Sequence, residues 1–142
     1  MPTDADRLAR KIADRLRAQE GTGAAWNIEI EEAREGYARI AMVVRADMLN
    51  GHGICHGGMI FALADTAFAY ACNSRNVETV AQNATIAFLA PGREGDRLVA
   101  EAREQALSGR SGVYQVIVAN QKGEKIAVFQ GLSRSLGGVV IN

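Results

Sequence analysis

One carboxylate stands alone in the most apolar stretch of the chain. From Met59 to Asn73 the sequence reads Met-Ile-Phe-Ala-Leu-Ala-Asp-Thr-Ala-Phe-Ala-Tyr-Ala-Cys-Asn, and Asp65 is its single charge. Burying a carboxylate is costly and Asp is a poor helix former. Asp65 therefore faces solvent, pairs with an arginine, or is kept there as a general base or nucleophile. Directly upstream lies the loop Asn50-Gly51-His52-Gly53-Ile54-Cys55-His56-Gly57-Gly58. Its last glycines open the apolar segment, so their N–H groups sit at the positive end of a helix and can receive a developing oxyanion. An ordinary tight loop has the same composition.

Other chemistries fit these residues less well. Gly51 and Gly53 do not begin a dinucleotide fingerprint, because His56 occupies the place of the third glycine. His52, Cys55 and His56 are metal-ligand types, but no convincing fourth ligand lies nearby. Cys55 is a weak nucleophile candidate, since adjacent residues such as Cys55 and His56 seldom present their side chains to each other. Cys72 reads as a core thiol, and His56 can equally be a helix-start residue bonded to its own loop. No metal or redox cofactor is called for. Phe61, Phe68 and Tyr70 read first as core packing, with one or two of them able to line a pocket.

The segment carrying Asp65 is apolar around its whole circumference, which marks a helix buried on all sides or one crossing a membrane. From Gly57 to Asn73 it reaches only about 24 Å at 1.5 Å per residue, short of the ~20 apolar residues a bilayer requires. It reads as a core helix. Ahead of it, Thr3 or Asp4 can cap a surface helix with Leu8, Ile12 and Leu16 on one side, ended by Gly21 and Gly23. Alternation at Trp26–Glu31 marks a strand, and Glu35-Gly36 turns into a second, roughly Tyr37–Val44. Four strand-like runs follow near Thr79–Leu89, Arg97–Ser108, Gly112–Asn120 and Lys125–Ser135. Pro91-Gly92, Gly109–Gly112 and Gln121-Lys122-Gly123 separate them as turns between consecutive antiparallel strands. The expected fold is α+β, a curved antiparallel sheet wrapped over one central helix.

At 142 residues the chain is one domain, with residues 1–23 as N-terminal helix and turn and 24–137 as the core. Sixteen Lys and Arg balance sixteen Asp and Glu, which argues against a nucleic-acid partner. Two cysteines make no disulfide framework, and the polar N-terminus lacks the apolar core of a signal peptide. The expected compartment is the cytoplasm, with no membrane association.

The stretch Asn50-Gly51-His52-Gly53, His56-Gly57-Gly58, Phe61, Leu63-Ala64-Asp65, Ala67-Phe68 and Cys72-Asn73-Ser74 resembles the active-site segment of hotdog-fold acyl-CoA thioesterases. The match is to the phenylacetate-degradation (PaaI-type) hydroxyphenylacetyl-CoA thioesterases. It continues through Thr85-Ile86, Phe88-Leu89, Pro91-Gly92, Gly95-Asp96 and Arg110–Tyr114 to Phe129-Gln130-Gly131, covering about Tyr37 to Gly137. The resemblance implies a hotdog fold and hydrolysis of a small, aryl-acetyl type of acyl-CoA. It implies Asp65 as catalytic carboxylate, the Gly57 N–H as the group polarising the thioester carbonyl, and Asn50 and His56 as residues shaping the site. Gly58, Phe61, Thr66, Asn83 and Thr85 become candidate substrate contacts. Arg110, Ser111 and Gly112 become candidates for the coenzyme A groove, where a fixed positive charge meets phosphate. Arg75, Arg93, Arg97 and Lys122 are further phosphate candidates. Some relatives carry a Ser or Thr on the strand after the helix to orient water; here that neighbourhood reads Ala81-Gln82-Asn83-Ala84-Thr85. A non-catalytic acyl-CoA-binding module and a hotdog hydratase or dehydratase are the alternatives, because fold does not settle function.

Helix geometry adds an expectation about assembly. Gly57 and Asp65 are eight residues apart, or about 12 Å along one helix axis. A single carbonyl cannot meet both. Two copies about a two-fold axis can supply one each, so a homodimer is expected, with pairing of dimers into a homotetramer implied by the resemblance.

Overall fold

The computed structural model describes residues 1–142. Its centre is helix α3 (Gly57–Cys72), whose Leu63, Ala64, Ala67, Phe68, Tyr70 and Ala71 are all buried. Six antiparallel strands curve around it: β1 (Glu29–Arg34), β2 (Tyr37–Val43), β3 (Thr79–Phe88), β4 (Arg97–Ser108), β5 (Ser111–Ala119) and β6 (Lys125–Ser135). Along β5, residues alternate between a buried face turned to α3, formed by Gly112, Tyr114, Val116 and Val118, and a more open one. Phe68 packs against Tyr114 and Phe129 at ring-centroid distances of 5.4 and 5.8 Å. Burial of side chains this large is worth roughly 1.5–3 kcal/mol each. Gly131 on β6 makes the close approach possible, since a Cβ there would lie 2.7 Å from the Phe68 ring. The α+β hotdog arrangement is therefore the observed one.

Three sequence-based expectations are corrected. The first helix, α1 (Asp4–Gln19), ends before Gly21, and Gly21 and Gly23 form a separate short helix, α2 (Gly21–Ala25), instead of a terminating turn. A Cβ at Gly23 would meet the Arg17 carbonyl at 2.8 Å, so glycine lets α2 fold back onto α1. Consequently Trp26 and Ile28 donate their N–H groups to Thr22 and Gly23, and β1 begins at Glu29, not at Trp26. The third correction concerns topology. The strand order is β1-β2-β4-β5-β6-β3, so β3 and β4 are not neighbours and Pro91-Gly92 is not a hairpin turn. Residues 89–96 instead cross the end of the sheet. The Leu89 N–H donates to Ile126 O, Gly92 O accepts from Cys55 N–H, and Gly95 N–H donates to Val44 O.

The crossing leaves β3 at an open edge. It pairs only with β6, and Val80 and Phe88 at its two ends are about half exposed.

Candidate active site

The glycine loop is built by Asn50. Its side-chain oxygen accepts the N–H groups of His52 (2.9 Å) and Ile54 (3.3 Å), and its backbone N–H donates to Ile54 O at 2.8 Å. His56 then caps α3, with Nδ1 accepting the Gly58 N–H at 2.8 Å and the backbone carbonyl accepting those of Met59 and Ile60. Three of the first four helix amides are thereby satisfied. The Gly57 N–H has no acceptor in the chain. It opens into a cleft of about 440 Å³ lined by Asn50, Ile54, Ile60 and Phe88–Gly92, with the Phe88 ring against Gly57 itself.

Asp65, two turns further on, faces a different and larger cleft of about 570 Å³. One wall is the end of α1 (Leu16, Gln19) with its capping residue Glu20, another the start of β3 (Thr79, Val80, Ala81), and a third is Val139 and Val140 from the segment after β6. Asp65 makes no ion pair and accepts no hydrogen bond within the chain. Burial without a compensating donor pushes its carboxyl above the usual carboxylate range. Neither structural use of Asp65, pairing with an arginine or full exposure to solvent, is what the chain adopts. The Tyr70 hydroxyl is hydrogen-bonded to Glu20 in the same cleft. Burial raises the Glu20 carboxyl, against the opposing effect of that hydrogen bond. The sequence does not reveal the wall formed by α1, because its 3.6-residue pattern reports only that one face is buried.

The remaining candidates divide. Gly58 gives its N–H to His56, and Phe61 packs edge-on against Phe129 at 5.3 Å. Thr66 is buried and donates its hydroxyl to Ala62 O at 2.7 Å, so it stabilises its own helix and reaches neither cleft. Asn83 and Thr85 lie on β3. A register shift between Ala81 and Asn83 turns Ala84 and Ile86 toward the core, and leaves Asn83 and Thr85 on the outer face. Asn73, whose side chain bonds Ala69 O and both backbone groups of Thr79, ties the end of α3 to β3 beside Asp65.

Arg110, Ser111 and Gly112 do come together, at the β4–β5 turn. They line a small cleft of about 100 Å³ that shares Cys72 and Thr79 with the Asp65 cleft. Arg110 forms no ion pair, whereas Arg75 is held by Glu35 and Glu104, and Arg97 by Glu29 and Glu31. These last two are structural, and of the phosphate candidates Arg110, Arg93 and Lys122 keep their charge available. Burial pushes the Cys55 thiol up and that of Cys72 to about 12, so neither supplies a thiolate at neutral pH. His52, Cys55 and His56 do not converge as a metal-binding group. No helix is long and apolar enough to cross a membrane.

Comparison with known proteins bears on the same segment. A model of the thioesterase superfamily matches residues 52–127, from the glycine loop to β6. The acyl-coenzyme A thioesterase PaaI of Escherichia coli strain K12 is 47% identical over 116 residues, which is 82% of this chain and 83% of that protein. The solved structure of the E. coli PaaI protein from the phenylacetic acid degradation operon superposes with a TM-score of 0.93 at 42% identity, covering 96% of this chain and 99% of the other. A Streptococcus mutans UA159 protein solved bound to acetyl CoA has a TM-score of 0.77 at 26% identity, covering 80% and 91% of the two chains. Together with the buried helix, the glycine loop and the isolated carboxylate, these matches place the chain in the thioesterase superfamily, to which it belongs as a hotdog-fold enzyme.

Proposed function

We propose that this thioesterase hydrolyses a small acyl-CoA of the aryl-acetyl type, at sites shared between two copies of the chain. The observation that carries the shared site is the separation of its two halves along β3. Gly57 lies at the Phe88 end of the strand and Asp65 at the Thr79–Ala81 end. Ala81 and Phe88 are about 23 Å apart at 3.3 Å per residue. The open edge of β3 has unpaired backbone groups, which invite another strand. Antiparallel pairing with the same edge of a second copy, centred near Asn83 and Ala84, sets each Phe88 end beside the other's Thr79 end. Each Gly57 then approaches the other chain's Asp65. Half-buried Val113, Ile117, Val128 and Leu132 form an outer strip on β5 and β6, a surface through which dimers can pair as tetramers.

The chemistry follows from the two halves. The Gly57 N–H hydrogen-bonds the thioester carbonyl oxygen, and that bond strengthens as negative charge develops there. Asp65, made more basic by burial, takes a proton from water as its oxygen adds to the carbonyl carbon. The tetrahedral intermediate collapses with cleavage of the C–S bond, and the proton passes to the departing CoA sulfur, leaving free acid and CoA thiol. Direct attack by Asp65 would instead form a mixed anhydride that water later opens. Single turnover in heavy-oxygen water, followed by mass analysis of the protein, separates the two routes. Asn50 and His56 hold the loop that presents Gly57, and Arg110 with Ser111 and Gly112 meets the CoA phosphates.

The test is release of thiol from an acyl-CoA panel. Aryl-acetyl-CoA, especially ring-hydroxylated, is expected to exceed palmitoyl-CoA in kcat/KM. The aryl-acetyl assignment fails if palmitoyl-CoA is preferred. Binding without thiol release would indicate a sensor module, and modification with the thioester left intact would indicate a lyase.

A further inference from the structure

The segment that follows β6 contributes to the Asp65 cleft although it belongs to no helix or strand. Residues 137–141 lie beside the α3–β3 connection and are fixed by one side chain. Asn76 accepts the backbone N–H groups of Val140 and Ile141, each at 2.9 Å, and donates from Nδ2 to Ile141 O at 2.8 Å. It does so from a left-handed backbone conformation, φ 62°, which Asn tolerates better than other side-chain-bearing residues. Glu78 adds two backbone bonds of 2.8 Å, its N–H to Gly138 O and its carbonyl to Leu136 N–H. Five hydrogen bonds thus hold a short strap whose Val139 and Val140 face the end of α1 across the cleft. Val139 remains 56% exposed, so it packs against little in the free protein.

The charges of this cleft say which part of a substrate it receives. Its lining contains three carboxylates, Glu20, Asp65 and Glu78, and no Lys or Arg. Phosphates of coenzyme A are repelled there and attracted to Arg110 on the other side of Cys72 and Thr79. The Asp65 cleft is left for an uncharged acyl group, with Leu16, Phe68, Ala69 and the two valines as apolar walls.

We infer that the strap is the acyl-length gauge of the enzyme: Val139 and Val140 close the acyl cleft, and Asn76 is the positioning residue that holds them there. This rests on the thioesterase reading with Asp65 in the active site. Asn76→Gly keeps the left-handed backbone and removes all three side-chain bonds. It should raise the octanoyl-CoA to butyryl-CoA ratio of kcat/KM about tenfold, chiefly through KM for the longer chain. Asn76→Asp keeps both acceptor bonds but turns the Nδ2 contact with Ile141 O into an oxygen–oxygen repulsion, and should give an intermediate ratio. Val139→Trp, at an exposed position that does not threaten folding, should lower the ratio by a similar factor while butyryl-CoA is still hydrolysed. If Asn76→Gly and Val139→Trp both turn over butyryl-CoA with the wild-type ratio, the strap is not the wall and the inference is overturned. If Asn76→Gly does not fold, an unchanged ratio in Val139→Trp overturns it alone. Failure of the wild-type protein to release thiol from any acyl-CoA overturns the thioesterase reading instead, and the strap's role with it.

Discussion

Gly57 and Asp65 sit on the same helix, yet each opens into a different cleft, the first beside Phe88 and the second beside Thr79–Ala81. The relationship is a consequence of how the sheet is threaded. Because β3 pairs with β6 and not with β4, its other edge stays open along the whole distance between the two residues. A half-buried carboxylate with no donor beside it, as Asp65 is, costs free energy. Folding alone does not favour such a carboxylate, and the proposed mechanism gives it a use.

Replacing Asp65 by Ala should lower kcat at least ~100-fold, the scale for loss of a positioned general base. Coenzyme A should bind with unchanged affinity, because the proposed phosphate contacts are at the Arg110 turn, away from Asp65. Turnover and calorimetric CoA binding on the same preparation check both. Near-wild-type turnover would remove Asp65 from the mechanism.

The raised carboxyl of Asp65 has two pH signatures. The acid limb of kcat/KM should lie above the ordinary Asp value of ~3.9, since the ionised form is the base. Stability should show the opposite preference. Below the unfolded-state value both states hold the proton and Asp65 costs nothing. As pH rises the unfolded chain ionises first, so stability falls until the folded-state value is passed. Asp65→Asn should therefore be more stable than wild type at pH 7, with the gap closing near pH ~4. Denaturant midpoints at the two pH values, at fixed protein concentration, measure it. A constant gap would mean that Asp65 is not desolvated.

How much of this was legible beforehand depends on the range of the interaction. The α3 boundaries were readable, because an apolar run bounded by a glycine loop and by Asn73 is local information. So were the isolated carboxylate and the hairpins at Gly109–Gly112 and Gln121–Gly123. The position of β3 was not. Pro91-Gly92 has turn composition whether it closes a hairpin or crosses the sheet, and only the backbone bonds to Ile126, Cys55 and Val44 decide. For the same reason the facing of Asn83 and Thr85 is not readable from the sequence: the register shift after Ala81 reverses which residues face the core, and no residue type announces it. Gly57 is the expected oxyanion donor by resemblance. That His56 claims the Gly58 amide and leaves Gly57 alone is visible only in three dimensions.

Arg110 makes a sharper test of the phosphate assignment than a general loss of activity. Arg110→Ala should raise KM for an acyl-CoA several-fold and weaken its salt dependence. The same acyl group on pantetheine, which carries no phosphate, should be hydrolysed equally by both proteins. A KM increase on the pantetheine thioester would show that Arg110 shapes the site and does not bind phosphate.

Gly131 tests the packing that fixes α3 against the sheet. A methyl there would meet the Phe68 ring at 2.7 Å. Gly131→Ala should destabilise the fold by about 1–3 kcal/mol, the usual cost of overpacking a core, and Phe68→Leu should recover part of it. Equal stability of Gly131→Ala and wild type in urea would mean the ring moves freely.

Whether each site takes Gly57 from one chain and Asp65 from another is measured by complementation. Gly57→Pro deletes the donor N–H at the first helical position, where proline is tolerated. His56 already has φ −60° and ψ 134°, the extended conformation a residue before proline adopts. Unfold Gly57→Pro and Asp65→Ala together in equal amounts, refold them, and assay thiol release from an acyl-CoA that the wild type hydrolyses. Half of the dimers are then mixed, each with one intact site of two, so about a quarter of wild-type activity should return. If both parents are folded and inactive, mixed dimers are shown to form by native mass spectrometry, and no activity returns, the shared site is contradicted.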